Sequence, residues 1–535
     1  MGMFETNFAT LDWCIVAVYL AAIVAIGVVV NRYIHNVPGY MVAGRGSGTA
    51  LNSATYIATG LGLVTVMYMA MDAFRNGFSF LMLGVIGVAI ALVLGSTGLV
   101  ISRLRELRLI TIPEFFERRY GKRVRVAAGL LCAAMGILNM GLFPKMGATF
   151  ITYATGLGRT ERLAPAEDQP PEPAEEKAKE ETTSRQQITV NIVTSLMIVL
   201  VLLYTVMGGM VSVIITDYLQ FVILALGLAI GLLFCLSHPD VGWNRMVGDL
   251  LVYRGERAFN TFHPDSYGWV WVLWMLVHVF LCAFCWAPEA TRALTARSAR
   301  TSRLTYLLGA PGQFIRVAIP SLFAIAAFSF VTRHADLAAY FFPDGLGGEP
   351  AHGDQAMPLI IAKLVPSGLL GLLVAGMMAA FMSTHDSYFL CWSSIIVRDV
   401  VAPLKGRPLT DKEQIRLARI LIVIIGAFLL WWGIWYEMPE SVWDYMAITG
   451  TVYVAGAAPA LLGGLYWRRA SRAGAMAALL CGLVAIVGIY HQPIQAHLPW
   501  LTKPLLGLGT YLFCPIVFVV FSLLFPDRDR VAKEA

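Results

Sequence analysis

The sequence predicts an all-α polytopic membrane protein with about 13 transmembrane helices, and three observations carry that prediction. Of the 535 residues, 58% are hydrophobic and only 14% charged, with a mean hydropathy of +0.68. A soluble domain needs far more charged surface. Apolar runs such as Leu81–Ile101 and Thr194–Met207 separate the charged residues into clusters, and roughly 20 apolar residues cross the hydrocarbon core as a helix. The Lys and Arg behind the formal charge of +6 sit mostly in short loops between those runs. There they orient the chain rather than bind nucleic acid.

The spans fall at 12–31, 50–73, 79–102, 124–157, 188–207, 209–236, 267–291, 304–331, 367–397, 416–436, 441–466, 473–490 and 503–525. Basic clusters follow span 3 (Arg103 to Arg125), span 7 (Arg292 to Arg303), span 9 (Arg398 to Arg419) and span 11 (Arg468, Arg469, Arg472). All are odd-numbered exits, and Arg528, Arg530 and Lys533 extend the pattern to the tail. Cytoplasmic loops carry the excess of Lys and Arg, which puts the N-terminus outside and the C-terminus in the cytoplasm of a cell (inner) membrane. Glu5 and Asp12 precede the first run, with no basic flank or small-residue cleavage site, so it reads as a retained helix rather than a leader. The loop 158–187 is rich in Pro, Glu and Ala with almost no large apolar side chain. It is expected to be disordered and, by the same count, external. The eight cysteines lie in or beside apolar segments without metal spacing, Cys282 and Cys285 included, and read as packing residues. With no soluble domain, nucleotide-binding loop or nucleophile–base pair in view, 1–535 reads as one membrane domain and not as an enzyme. Its expected partners are a small solute and the bilayer, with no nucleic acid and no obligate protein partner.

Two segments carry chemistry on their own residues. In span 2, Ala58-Thr59-Gly60-Leu61-Gly62-Leu63-Val64-Thr65 holds two glycines and two threonines that weaken a helix. Unwound, it would free carbonyl oxygens for a hard cation. In span 9, Ala380, Ser383, Thr384 and Ser387 are spaced to share one helix face, with Asp386 beside it. Hydroxyls bonded back to their own carbonyls would explain Ser383 and Thr384. They would not explain the carboxylate, which at mid-membrane needs a partner or a cavity.

A third segment, Tyr204 to Gln220, reads T-x-x-GG-x-x-S-V-x-x-TD-x-x-Q. Together with AA-x-M-ST at Ala379–Thr384 and the W-R-R step at Trp467–Arg469, it resembles the sodium:solute symporter family, which includes the sodium–proline and sodium–glucose carriers. The resemblance runs from span 1 to span 13. It implies a leucine-transporter-like fold of two five-helix inverted repeats, spans 2–6 over 50–236 and spans 7–11 over 267–466. Span 1 (12–31) and spans 12 and 13 (473–525) would be peripheral. It also implies Na+ as coupling ion, held by the carbonyls of Ala58, Leu61 and Ala380 and the hydroxyls of Ser383 and Thr384. Some members hold a second sodium, which here would fall to Asp217, Asp386 and Ser387.

The departures matter as well. Trp286-Ala287-Pro288-Glu289-Ala290-Thr291-Arg292 places Trp and Pro where the sugar carriers have Asn and Tyr, and Gly60 stands where the proline carriers show an acidic residue. Neither subgroup is matched. Lys145 is an unusual intramembrane cation with three readings: an ion pair with Glu289 or Asp72, a head snorkelling outward, or a partner for a substrate carboxylate. Thr65, Lys145, Trp286 and Glu289 are the candidate substrate residues. The expected function is sodium-coupled secondary active import of a small organic solute by alternating access. Proton-coupled symport and a transporter-like sensor or channel are the alternatives.

Overall fold

The structure is a computed structural model that describes residues 5–30, 48–157, 173–407, 409–436, 439, 441–490 and 497–527. Among these residues there is no β-strand. The first half contains α1 (Thr10–Val30), α2 (Thr49–Gly60), α3 (Leu63–Asn76), α4 (Met82–Thr97), α5 (Lys122–Asn139), α6 (Phe143–Thr155) and α7 (Pro173–Ser237). The second half contains α8 (Gly268–Cys285), α9 (Ala287–Thr295), α10 (Ala299–Val331), α11 (Gly353–Leu364), α12 (Leu369–Ile395), α13 (Asp411–Trp435) and α14 (Val442–Tyr466). Helices α15 (Arg472–Cys481) and α16 (Lys503–Leu524) close the chain. Ten stretches of the described residues are long and apolar enough to cross a membrane, and Thr10–Ile23 and Val222–Ser237 are shorter apolar helices.

The boundaries follow local chemistry. Gly77, at φ +62°, turns the chain between α3 and α4, and Gly98 ends α4 in the left-handed conformation with its N–H on the Leu94 carbonyl. Thr410 and Glu413 form a capping box that starts α13. The structure corrects the expected loop 158–187. Residues 158–172 lie outside the described residues, but from Pro173 onward the chain is already helical. The 173–187 stretch cannot form a core, yet it opens on Pro and is rich in Ala, Glu and Lys, which favour helix without any tertiary partner. Expected spans 5 and 6 both fall within α7; the side chains of 207–219 between them lie outside the described residues.

Helix α12 is central. In the stretch Leu369–Lys405, 89% of the apolar window is buried inside the protein, against 33% for Asp411–Trp435 and for Lys503–Leu524. Small residues allow the close approach that membrane helices need. A Cβ on Gly136 would lie 2.2 Å from the Trp392 ring, and one on Gly147 would lie 2.6 Å from the Phe381 ring. The basic segments meet at one end of the molecule. Arg103 donates to the Leu465 carbonyl at 2.9 Å, Arg105 to that of Arg297 at 3.2 Å and Arg119 to that of Ala470 at 3.0 Å. Arg125 pairs with Asp399 at 2.8 Å. The segments after expected spans 3, 7, 9 and 11 therefore share one face, as alternating crossings require.

Candidate solute and ion site

Two helical stretches are interrupted at buried positions. The first break is Leu61–Gly62, between α2 and α3, where Gly62 is extended (φ −90°, ψ 163°). The second is Trp286, between α8 and α9, also extended (φ −72°, ψ 120°) and followed by Pro288 in the first turn of α9. Proline has no N–H to lose at a helix start, so the sequence favours restarting the helix there. The glycines and threonines of span 2 pointed to the first break. The second was noticed only as a departure from a motif.

Helix α12 passes the first break. A Cβ on Gly62 would lie 2.2 Å from the Thr384 hydroxyl oxygen, so only glycine lets the unwound turn meet that hydroxyl. Thr384 Oγ1 also donates to the Ala380 carbonyl at 2.9 Å, the back-bond that the isolated sequence suggested. Ser383 and Thr384 are 7% and 8% exposed, and Leu61 and Ala380 are buried as well. Asp386 and Ser387 are buried further along α12. The side chains of Ala58 and Asp217 lie outside the described residues.

Beside this junction is a cavity of about 120 Å³ whose wall includes Thr65, Trp286, Glu289 and Thr384. Three of the four candidate substrate residues thus share one wall with a hydroxyl of α12. Arg316 of α10 and Tyr56 of α2 also line it, and neither stood out in the sequence. Arg316 gave the same signal as Lys145, a lone cation inside an apolar span, here between Pro311 and Pro320. Its guanidinium lies where a side chain at position 60 would otherwise go: a Cβ on Gly60 would be 2.9 Å from Nη1.

Lys145 is not among the described residues lining the cavity. Its ammonium donates to the Tyr436 carbonyl at 2.9 Å and acts electrostatically on Asp354 of α11. Burial pushes the Asp354 carboxyl up to about 6, while Lys145 pulls it back down. A carboxyl with a raised folded pKa holds its proton more tightly when folded, so this group's contribution falls as pH rises from about 4 to about 6. Lys145→Met is expected to extend that loss to higher pH and to lower the melting temperature at pH 8 more than at pH 5, with solute affinity unchanged. A tenfold loss of solute affinity with stability intact would place Lys145 in solute binding after all.

Comparison with known proteins fits this geometry. The model of the sodium:solute symporter family matches residues 185–482. The sodium/glucose cotransporter 4 of Danio rerio is 24% identical over 88% of this chain and 70% of its own length. The high affinity choline transporter 1 of Homo sapiens is 25% identical over 85% of this chain and 72% of its own. The sodium/sialic acid symporter NanT of Aliivibrio fischeri is 24% identical over 78% and 75%. The structure of a substrate-bound, outward-open Na+-coupled sialic acid symporter superposes with a TM-score of 0.73 at 19% identity, covering 97% of this chain and 99% of that one. MhsT in complex with L-phenylalanine superposes at 0.51 and 15% identity over 89% and 98%. The fold is the leucine-transporter-like one, and the relatives are transporters rather than enzymes. By the extent of the family match, the interrupted helices and the shared fold, this chain belongs to the sodium:solute symporter family.

Proposed function

We propose that the protein is a sodium-coupled secondary active symporter that imports a small organic solute by alternating access. The observation that carries this reading is the meeting of the Leu61–Gly62 break with Thr384 at the edge of a cavity. An unwound turn has carbonyls without helical partners, and facing hydroxyls complete an oxygen-rich site suited to a hard monovalent cation. The proposed ligands are the carbonyls of Ala58, Leu61 and Ala380 and the hydroxyls of Ser383 and Thr384. Thr65, Trp286 and Glu289 are the proposed solute wall. An ion bound there ties the broken crossing to α12, and so favours the one cavity state in which both are in place; that differential binding is the coupling. The sodium-linked carriage named for the glucose and sialic acid relatives supports the choice of ion. The shared basic face favours the cytoplasm, which puts the opposite end outside.

The test needs no knowledge of the solute. Purified protein in detergent should melt at a higher temperature in Na+ than in K+, and Ser383→Ala and Thr384→Ala should each raise the half-saturating Na+ by at least about threefold, the loss of one weak oxygen ligand. Equal midpoints in Na+ and K+, combined with a strong dependence on pH, would favour the proton-coupled alternative. Unchanged Na+ titrations in both variants would displace the ion from this site.

A further inference from the structure

We infer that the solute is a zwitterion, its carboxylate held by Arg316 and its ammonium by Glu289; this rests on the symport reading of the same cavity. Among its described residues the wall carries one guanidinium and one carboxylate, on α10 and on the first turn of α9. Tyr56 lines the cavity with them and lies within electrostatic reach of both charges. Arg316 Nε is buried, and among the described residues it has no hydrogen-bond partner. His278 is a further titratable group on the wall.

Charge matching then selects the ligand class. A neutral solute would displace water from both charged groups and return nothing to either, a costly exchange. A cation alone would leave Arg316 uncompensated, and an anion alone would do the same to Glu289. A molecule with both charges satisfies both, and a carboxylate matches the forked donors of a guanidinium in two parallel bonds. The aromatic faces of Trp286, Tyr56 and Tyr68 on the same wall suit an ammonium beside Glu289. The glycine at position 60 fits this arrangement, since a side chain there would occupy the place of the guanidinium.

The experiment is a melting-temperature screen of the full-length protein in saturating Na+. The probes are the twenty L-amino acids, their methyl esters, their N-acetyl derivatives, and glucose as a neutral solute. At least one free amino acid should stabilise the protein, and its ester and N-acetyl form should bind at least about tenfold more weakly. Arg316→Gln should weaken the free amino acid by at least about tenfold while leaving the ester unchanged, and Glu289→Gln should do so while leaving the N-acetyl form unchanged. Retention of the Na+ shift shows that each variant is folded, and Arg316→Lys should recover part of the affinity. Stabilisation by glucose or by an ester with every free amino acid silent overturns the inference. So does free amino-acid binding that is equal in parent and both variants. A silent amino-acid panel with the Na+ shift intact defeats the zwitterion and leaves the symport reading standing; absence of the Na+ shift defeats the symport reading itself.

Discussion

Gly62→Ala is expected to raise the half-saturating Na+ concentration by at least about tenfold, or roughly 1.4 kcal/mol. The new methyl would lie 2.2 Å from Thr384 Oγ1 and 3.3 Å from its Cβ. No pair of heavy atoms tolerates the shorter distance, so either the hydroxyl rotates away or the unwound turn retreats. Both movements separate the two halves of the proposed ion site. A double-mutant cycle makes the test specific. If the hydroxyl is what the methyl strikes, then Thr384→Ala removes the obstacle, and adding Gly62→Ala to it should cost much less than in the parent. Interaction energies between groups in contact commonly reach 0.5–3 kcal/mol, about what this cycle should show. Strict additivity would mean that the turn and Thr384 do not share a function, and the site would have to be sought elsewhere.

Asp12→Ala is expected to be the most destabilising change outside the cavity. Asp12 is fully buried. It accepts from the N–H groups of Ala9 at 2.8 Å, Gly368 at 2.6 Å and Gly371 at 2.6 Å, and from the Ser367 hydroxyl at 2.7 Å. Gly368 and Gly371 stand at the start of α12, where backbone donors have no helical acceptor. Asp12 therefore lets α1 cap the helix that carries Ser383 and Thr384. Gly371 is what allows the approach, because a Cβ there would lie 2.6 Å from Asp12 Oδ1. Removing the carboxylate orphans several buried donors at about 1–3 kcal/mol each, partly relieved where water can enter. We expect a loss of at least about 3 kcal/mol, seen as a clear fall in melting temperature and yield. Asp12→Asn keeps one acceptor oxygen and should lose less. The Na+ affinity of the surviving protein should be near normal, since the ligands lie several turns away. A variant as stable as the parent would show that α1 does not anchor α12.

Much of the architecture was legible in the chain, because membrane crossings are written in local composition. About twenty apolar residues in a row must form a helix, since lipid offers no hydrogen bonds to the backbone. The glycines and threonines of 58–65 announced a weak helix, and the structure breaks it at Leu61–Gly62. The regular exits of basic residues foretold that Arg103, Arg105, Arg119 and Arg125 would meet the segments after later crossings at one end. Local propensity also explains the helical start of α7, where the expectation of disorder weighed the missing apolar side chains and overlooked the Ala, Glu and Lys that favour helix.

What the sequence determined by itself was the class of protein, its apolar helices, the first break and the family motifs, all of which depend on residues close together along the chain. Tertiary structure alone decided which intramembrane charge meets the cavity. Lys145 and Arg316 look alike in sequence, each a single cation in an apolar run, but packing sets Lys145 on the Tyr436 carbonyl beside Asp354 and brings Arg316 against Gly60, on the cavity wall that it shares with Trp286. A buried charge must find compensation somewhere. Where it finds it depends on helices far apart in the chain, whose juxtaposition no local pattern encodes.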